Sequence, residues 1–386
     1  MTDIRVPFNR PTVVGDERRH LEAALTGGHW SGDGRFTKAC QDLLESSLGV
    51  AKALLTTSCT HALEMAALLL DIEAGDDVIV PSFTFVSTAN AFALRGARVV
   101  FADIRSDTLN LDERQLDALA GPRTKAIVAV HYAGVACEMD AITHFASARG
   151  ISVIEDNAHG LWGRYKDRPL GTMGRAATLS FHETKNVTCG EGGALLLNDA
   201  AWIERAEILR EKGTNRSQFL RETVSRYQWV DLGSSYVPSD LLAAVLLAQL
   251  ERIAWVQDCR RRIWNTYQER LGGWTSRYGV ALPIVPEACT SAHHLFHLVM
   301  PDGASRDAML AHLRSRGVLA VFHYVPLHSS AMGLRFGARA TDCPVAETTS
   351  RRLLRLPFYT SMTADEQDIV IDAVTSFVPA RMVRTP

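Results

Sequence analysis

Between residues 50 and 200, short β-rich apolar runs alternate with stretches of helical periodicity. This alternation restricts the fold of the chain more than any other feature. Asp77–Pro81, Arg98–Asp103, Lys125–His131 and Ile151–Glu155 read as strands. Thr60–Leu70, Val86–Leu94, Glu113–Leu119 and Met139–Ala148 read as the helices between them. Strands that are apolar along their whole length need cover on both faces, and the intervening helices supply it. The spacing therefore predicts an α/β fold with a mainly parallel sheet covered by helices, extended by Ala177–His182 and Ala194–Asn198.

The texture changes after residue 200. Ala200–Lys212 reads as a helix, Arg221–Tyr236 as a loop and Ser239–Leu271 as one long helical stretch with room for a kink. The remainder reads as a smaller α+β unit. Its predicted strands are His294–Met300 and Val318–Tyr324, and its predicted helices Ser305–Arg316 and Thr363–Phe377. A chain of 386 residues suits two domains, and the change of pattern divides it into a large domain, 1–240, and a small C-terminal domain, 241–386.

Composition removes several classes of function. The 41 basic and 43 acidic side chains leave a formal charge of -2, without the cation surplus of a nucleic-acid binder. The seven cysteines are scattered and none forms a C-x-x-C pair, which points to reduced thiols and no metal site. The first residues lack an apolar signal core, and Leu241–Leu250 is too short to span a bilayer. A cytoplasmic protein with no membrane partner is the expectation.

In a sheet of this kind ligands sit beyond the carboxyl ends of the strands. Four segments there carry chemistry. Asp156 ends a predicted strand, where a carboxylate can face a cationic ring nitrogen, or simply cap a helix. Lys185 follows another strand and precedes Gly190-Glu191-Gly192-Gly193; a lysine held in a pocket can lose its proton and form a Schiff base with an aldehyde. The alternative is a solvated loop lysine. Thr56-Thr57-Ser58-Cys59-Thr60 opens a helix and offers hydroxyls and free N–H groups to an anion, or an ordinary cap. Phe85 follows a third strand and can cover a planar ring or pack in the core. Taken together, an anion cradle, an aromatic cover, a carboxylate and a lysine are what pyridoxal phosphate requires.

Five stretches carry a resemblance to a known family: Pro81–Asn90, His131–Asp140, Ser180–Asn186, Arg210–Gln218 and Ala320–His328. They resemble the DegT/DnrJ/StrS sugar aminotransferases, a group within the fold type I pyridoxal phosphate enzymes, and the likeness runs nearly end to end. Within the group it is greatest to members that form dTDP-4-amino-4,6-dideoxygalactose.

The resemblance implies residue roles. Lys185 would bind the cofactor aldehyde and Asp156 its pyridinium nitrogen. His159 stands where many members carry Gln, near the phenolic oxygen, and adds a titrating group there. Ser58, Cys59, Thr60 and Ser180 would surround the phosphate, and Phe85 would stack on the ring. Trp30, Asn186, Tyr324 and His328 would lie near the sugar, with Lys212, Arg216 and Arg226 as cations for the nucleotide diphosphate. Many members reach across a dimer to the phosphate with an Asn; here that position is Val237, leaving Ser234, Ser235 or Tyr236 for the contact.

The implied reaction moves an amino group from L-glutamate or L-glutamine, through the pyridoxamine phosphate form, to C4 of dTDP-4-keto-6-deoxy-D-glucose. The product is a 4-amino-4,6-dideoxyhexose of galacto or gluco configuration. The alternative is amination at C3 of a 3-ketosugar. A homodimer with its sites at the interface is implied as well. The intact Lys185 weighs against a dehydratase or a non-enzymatic descendant of this fold.

Overall fold

The computed structural model describes residues 3–379. Seven strands form the central sheet: β1 (Lys52–Thr56), β2 (Asp77–Pro81), β3 (Arg98–Ala102), β4 (Thr124–Val130), β5 (Ser152–Asp156), β6 (Ala176–Ser180) and β7 (Gly193–Leu197). Their order is β1-β7-β6-β5-β4-β2-β3. The five strands from β6 to β3 are parallel, and β7 runs antiparallel to both of its neighbours. The pattern of apolar residues does not encode that reversal, because a buried strand looks the same in either direction.

Side chains of each strand alternate between two covered faces. Val78 and Val80 of β2 pack with Leu63 and Phe92 of the helices Cys59–Leu69 and Val86–Ala93. Ile79 points the other way, into the cluster with Met139 and Ile142 of the helix Met139–Ala148. At the β1 end, Leu55, Leu179 and Leu196 pack against the helices Arg35–Leu48 and Asp240–Glu251. Covering the sheet twice leaves the carboxyl ends of the parallel strands as the open edge, and the site forms there.

The C-terminal residues build a second core. His297–Val299, Leu353–Arg355 and Val321–Phe322 form an antiparallel sheet with Leu353–Arg355 at its centre. Leu298 and Leu354 pack with Tyr267 and Trp274 of the helix Ile253–Tyr278, and with Met309 and Val370 of Gly303–Ser315 and Ala364–Thr375. A reciprocal cap between Thr363 and Glu366 starts the last of these helices.

Several boundaries differ from the reading above. The long helical stretch is two helices, broken at Arg252, where the backbone leaves helical geometry (φ -106°, ψ 11°). Ile253, just past that break, still packs in the cluster under the large sheet, and Ile263 of the same helix packs in the second core. Val6 belongs to the second core and pairs with Val318, so this N-terminal residue is packed onto the C-terminal part. Ala200–Lys212 is a 3-10 turn followed by Ile203–Arg210, and the strand expected at Val318–Tyr324 shrinks to Val321–Phe322. The seven cysteines are all free, and no helix among the described residues is long and apolar enough to cross a membrane.

Candidate active site

A cavity of about 770 Å³ lies between the open edge of the sheet and the C-terminal unit. Each of the four segments expected at strand ends contributes to its wall, as do residues far away in sequence.

Asp156 ends β5 and is almost fully buried. Its Oδ2 accepts a hydrogen bond from Thr88 Oγ1 at 2.7 Å, and its Oδ1 accepts from the Ala158 N–H at 3.2 Å. Thr88 is itself held by Thr84 Oγ1 at 2.9 Å. Beneath Asp156, the fully buried Glu155 accepts from His131 Nε2 at 2.9 Å and from the N–H groups of Gly171, Met173 and Gly174. Burial opposes its ionisation, but these donors hold the carboxyl below its ordinary range. His131 Nδ1 accepts from the Cys137 N–H, which leaves its proton on Nε2. The end of β5 is thus fixed from below before anything binds above it.

Lys185 sits on the loop between β6 and β7. The loop is closed by bonds from Phe181 N to Gly192 O and from Glu183 N to Gly190 O. Lys185 Nζ has no hydrogen bond or ion pair among the described residues. Burial lowers its ammonium to about 8, despite the opposing pull of Cys59 and Asp156.

Ser58 caps the helix Cys59–Leu69, its Oγ accepting from the His61 N–H at 3.1 Å. The first N–H groups of this helix, those of Cys59 and Thr60, face no carbonyl within it. The hydroxyl of Thr60 meets Ser87 Oγ at 2.8 Å. A Cβ on Gly193 would stand 2.4 Å from the Cys59 nitrogen, so glycine is what lets β7 run this close to the helix start. Ser180, at the end of β6, and Phe85, exposed at the rim, complete this wall.

The opposite wall comes from the C-terminal unit: His294, Phe322, His323, Tyr324, Arg355 and Phe358. His159 stacks on His294, with ring centres 4.1 Å apart. Its Nδ1 accepts from the Ala133 N–H at 3.3 Å, so its proton is on Nε2. Burial, with the cations Lys185 and Arg355, holds the His159 pKa well below its ordinary value. The titrating group expected at this position is therefore a neutral one. His323 Nδ1 meets the buried Tyr132 hydroxyl at 2.7 Å, and its ring stacks on Tyr324.

The cavity thus brings together Ser58, Cys59, Thr60, Phe85, Asp156, His159, Ser180, Lys185 and Tyr324. It does not include the other expected residues. Asn186 is turned away: its amide nitrogen donates to Ala292 O at 2.7 Å and its Oδ1 meets His294 Nδ1 at 2.9 Å. His328 is fully buried against Ser82 Oγ, 2.5 Å away, because the chain folds under β2 at that point. Lys212 and Arg216 are exposed and pair with Glu211. Arg226 and Trp30 are exposed as well, the Trp30 ring nitrogen donating to Leu25 O. His294, His323, Thr88 and Arg355 escaped the sequence reading. The only signal for the last was one cation in the apolar run Leu353-Leu354-Arg355-Leu356.

The walls fit pyridoxal phosphate. An unpaired amine of lowered basicity, a fixed carboxylate and a helix start with hydroxyls surround one space large enough for a substituted pyridine.

Fold and site define an α/β aminotransferase of the pyridoxal phosphate type. Residues 11–375 match the model of the DegT/DnrJ/EryC1/StrS aminotransferase family, and the chain belongs to that family, whose members use pyridoxal phosphate. It is 34% identical to the spore coat polysaccharide biosynthesis protein SpsC of Bacillus subtilis over 381 residues, covering 97% of each chain. The aminotransferase TlmJ from Streptoalloteichus hindustanus superposes with a TM-score of 0.86 at 31% identity, over 97% of this chain and 98% of that one. Spr1654 from Streptococcus pneumoniae, in its PLP form, gives 0.88 at 25% identity, over 96% and 97%.

Proposed function

We propose that this enzyme aminates a nucleotide-linked ketosugar: it takes the amino group of L-glutamate, or L-glutamine, and delivers it to C4 of dTDP-4-keto-6-deoxy-D-glucose. The observation that carries the reading is the meeting of Lys185, Asp156 and the Ser58–Thr60 helix start in one cavity. The five long stretches of resemblance support a sugar acceptor, as does the likeness to a polysaccharide biosynthesis protein.

Pyridoxal phosphate supplies an aldehyde that takes up amines and a ring that draws electrons from the neighbouring carbon. In this reading the chain does the rest. Lys185, with an amine that is partly deprotonated near neutral pH, holds the cofactor at rest and moves the proton between substrate carbon and cofactor carbon. Asp156, oriented by Thr88 and the Ala158 N–H, keeps a proton on the ring nitrogen. His159, neutral with its proton on Nε2, would donate a hydrogen bond from that N–H to the phenolic oxygen and keep the proton. The N–H groups and hydroxyls at Ser58–Thr60, with Ser180, take the phosphate, and Phe85 covers the ring.

The same proposal includes a homodimer and a division of the chain near residue 240. The segment 219–232 supports the dimer, because it leaves Phe219, Leu220, Tyr227, Trp229 and Leu232 in solvent. In such a dimer the exposed Lys212, Arg216 and Arg226 would meet the nucleotide diphosphate in the partner's cavity, Lys212 and Arg216 exchanging their pairing with Glu211 for it.

Product analysis tests the reading. Enzyme, L-glutamate and dTDP-4-keto-6-deoxyglucose should yield a dTDP-4-amino-4,6-dideoxyhexose, whose ring-proton couplings in NMR give the C4 configuration. Amination of the 3-ketosugar alone would move the reaction to C3, and no aminated sugar from either would overturn it.

A further inference from the structure

The His159 imidazole lines the cavity, and its side chain makes one hydrogen bond among the described residues, Nδ1 accepting from the Ala133 N–H at 3.3 Å. A single long bond fixes one point of a ring and leaves its plane free to turn about that point. The plane is set by His294, whose ring centre lies 4.1 Å away at 21° from parallel. The next rings, Tyr132 and His323, are 5.9 and 6.1 Å away.

His294 is itself held from three directions. The buried Arg260 donates from Nη2 to the His294 carbonyl and from Nε to the His293 carbonyl at 2.9 Å. The His294 N–H donates to the Ala133 carbonyl at 3.3 Å, so one residue, Ala133, bonds both histidines. The ring Nδ1 meets Asn186 Oδ1 at 2.9 Å. The Asn186 amide nitrogen is turned to Ala292 O, so its oxygen faces the ring and His294 Nδ1 is the donor. The stacked rings are therefore opposite neutral tautomers, His294 protonated on Nδ1 and His159 on Nε2. The cations Lys185, Arg260 and Arg355 face the pair and oppose a charge on either ring. Its other titratable neighbours, His323 and Tyr132, bond to each other at 2.7 Å and are kept neutral by burial.

We propose that His294 is a positioning residue for His159: its stacked ring fixes the plane in which the His159 Nε2–H points to the phenolic oxygen of the cofactor. This rests on the reading that pyridoxal phosphate binds in this cavity with that oxygen beside His159.

The test follows the visible band of the loaded enzyme against pH. Loss of the proton at the phenolic oxygen changes that band, and a donor bonded to the oxygen favours its charged form and keeps the midpoint low. His159→Phe removes the donor and should raise the midpoint by about one pH unit or more. His294→Leu keeps volume but not the flat ring and should raise it by at least about half as much, whereas His294→Phe, which keeps the ring, should stay within about 0.2 units of wild type. In the His159→Phe background His294→Leu should add nothing, because His294 acts through His159. If His294→Leu does not fold, His294→Gln, which also lacks the ring, takes its place. A shift in His159→Phe with none in the ring-less variant, or equal shifts from that variant in both backgrounds, would overturn the positioning role and leave the cofactor reading intact. No shift in His159→Phe would place the phenolic oxygen away from His159, and the positioning role would fall with that part of the reading.

Discussion

The imidazoles of His159 and His294 lie face to face, their centres 4.1 Å apart and their planes 21° from parallel. Each has one nitrogen committed, His159 to the Ala133 N–H and His294 to the Asn186 side chain. Burial, then the neighbouring cations, drives both below the ordinary histidine pKa. Two imidazolium rings at this distance would repel, so the stack excludes protonation of both at once. Asn186, directly after Lys185 in sequence, is what ties the lysine loop to this stack.

The support beneath Asp156 gives a graded expectation. Asp156→Asn removes the negative charge that would hold a proton on the ring nitrogen, and single-turnover proton transfer should slow by about 100-fold or more. Thr88→Val leaves the carboxylate in place and removes the 2.7 Å hydrogen bond to it, together with the 2.9 Å bond to Thr84. It should lower stability by about 1–3 kcal/mol in urea unfolding and slow the reaction less than Asp156→Asn does. Equal rates in Asp156→Asn and wild type would refute the role of the carboxylate.

Lys185 sets a pH dependence in the protein freed of cofactor. Its ammonium is lowered to about 8, so below that value the reactive free amine falls about tenfold per pH unit. The rate at which added pyridoxal phosphate develops its visible band should rise with pH and level off above about 8. A plateau that begins only near the ordinary lysine value, above pH 10, would contradict the desolvated lysine.

His297 sets a pH dependence of stability. It is buried, its Nδ1 has no partner among the described residues, and burial followed by Arg355 lowers it to about 3. The unfolded chain takes up a proton near pH 6.5 while the folded chain does not, so stability falls as pH falls through 6.5. By pH 5 this one group costs about 2 kcal/mol. Denaturation midpoints of His297→Gln should therefore fall less than those of wild type between pH 7 and 5. Parallel curves would show that His297 is not the source.

Gly193 is expected to tolerate no side chain. A Cβ there meets the Cys59 nitrogen and the Ser58 carbonyl carbon, both at 2.4 Å. Because both are backbone atoms, Gly193→Ala must push β7 away from the helix start that would cradle the phosphate. The variant should bind pyridoxal phosphate at least about 10-fold more weakly, measured by equilibrium dialysis, while its circular dichroism stays native. Wild-type affinity would argue that the phosphate lies elsewhere.

What the sequence revealed, and what it hid, follows from where each residue lies along the chain. Asp156, Lys185, Ser58–Thr60 and Phe85 each stand just past the end of a strand or at a helix start, and strand ends are visible as breaks in apolar runs. Strand direction is not, so the reversal of β7 left no trace in the pattern. His294, His323 and Arg355 reach the cavity only because a second core packs against the first, a tertiary event that local spacing does not record. Neighbours in sequence also part company. Asn186 follows Lys185 but is consumed by Ala292 and His294, and His328 is four residues from Tyr324 yet buried beneath β2. The helix break at Arg252 lies inside an unbroken helical pattern without Gly or Pro to mark it.

The most direct measurement is the visible spectrum of the purified enzyme loaded with pyridoxal phosphate, titrated first with L-glutamate and then with dTDP-4-keto-6-deoxyglucose, beside Lys185→Ala. The expected result is a band in the wild type only, which disappears with glutamate and returns with the ketosugar. A wild type that develops no band, or a Lys185→Ala variant that passes through the same cycle, would contradict the assignment of this cavity.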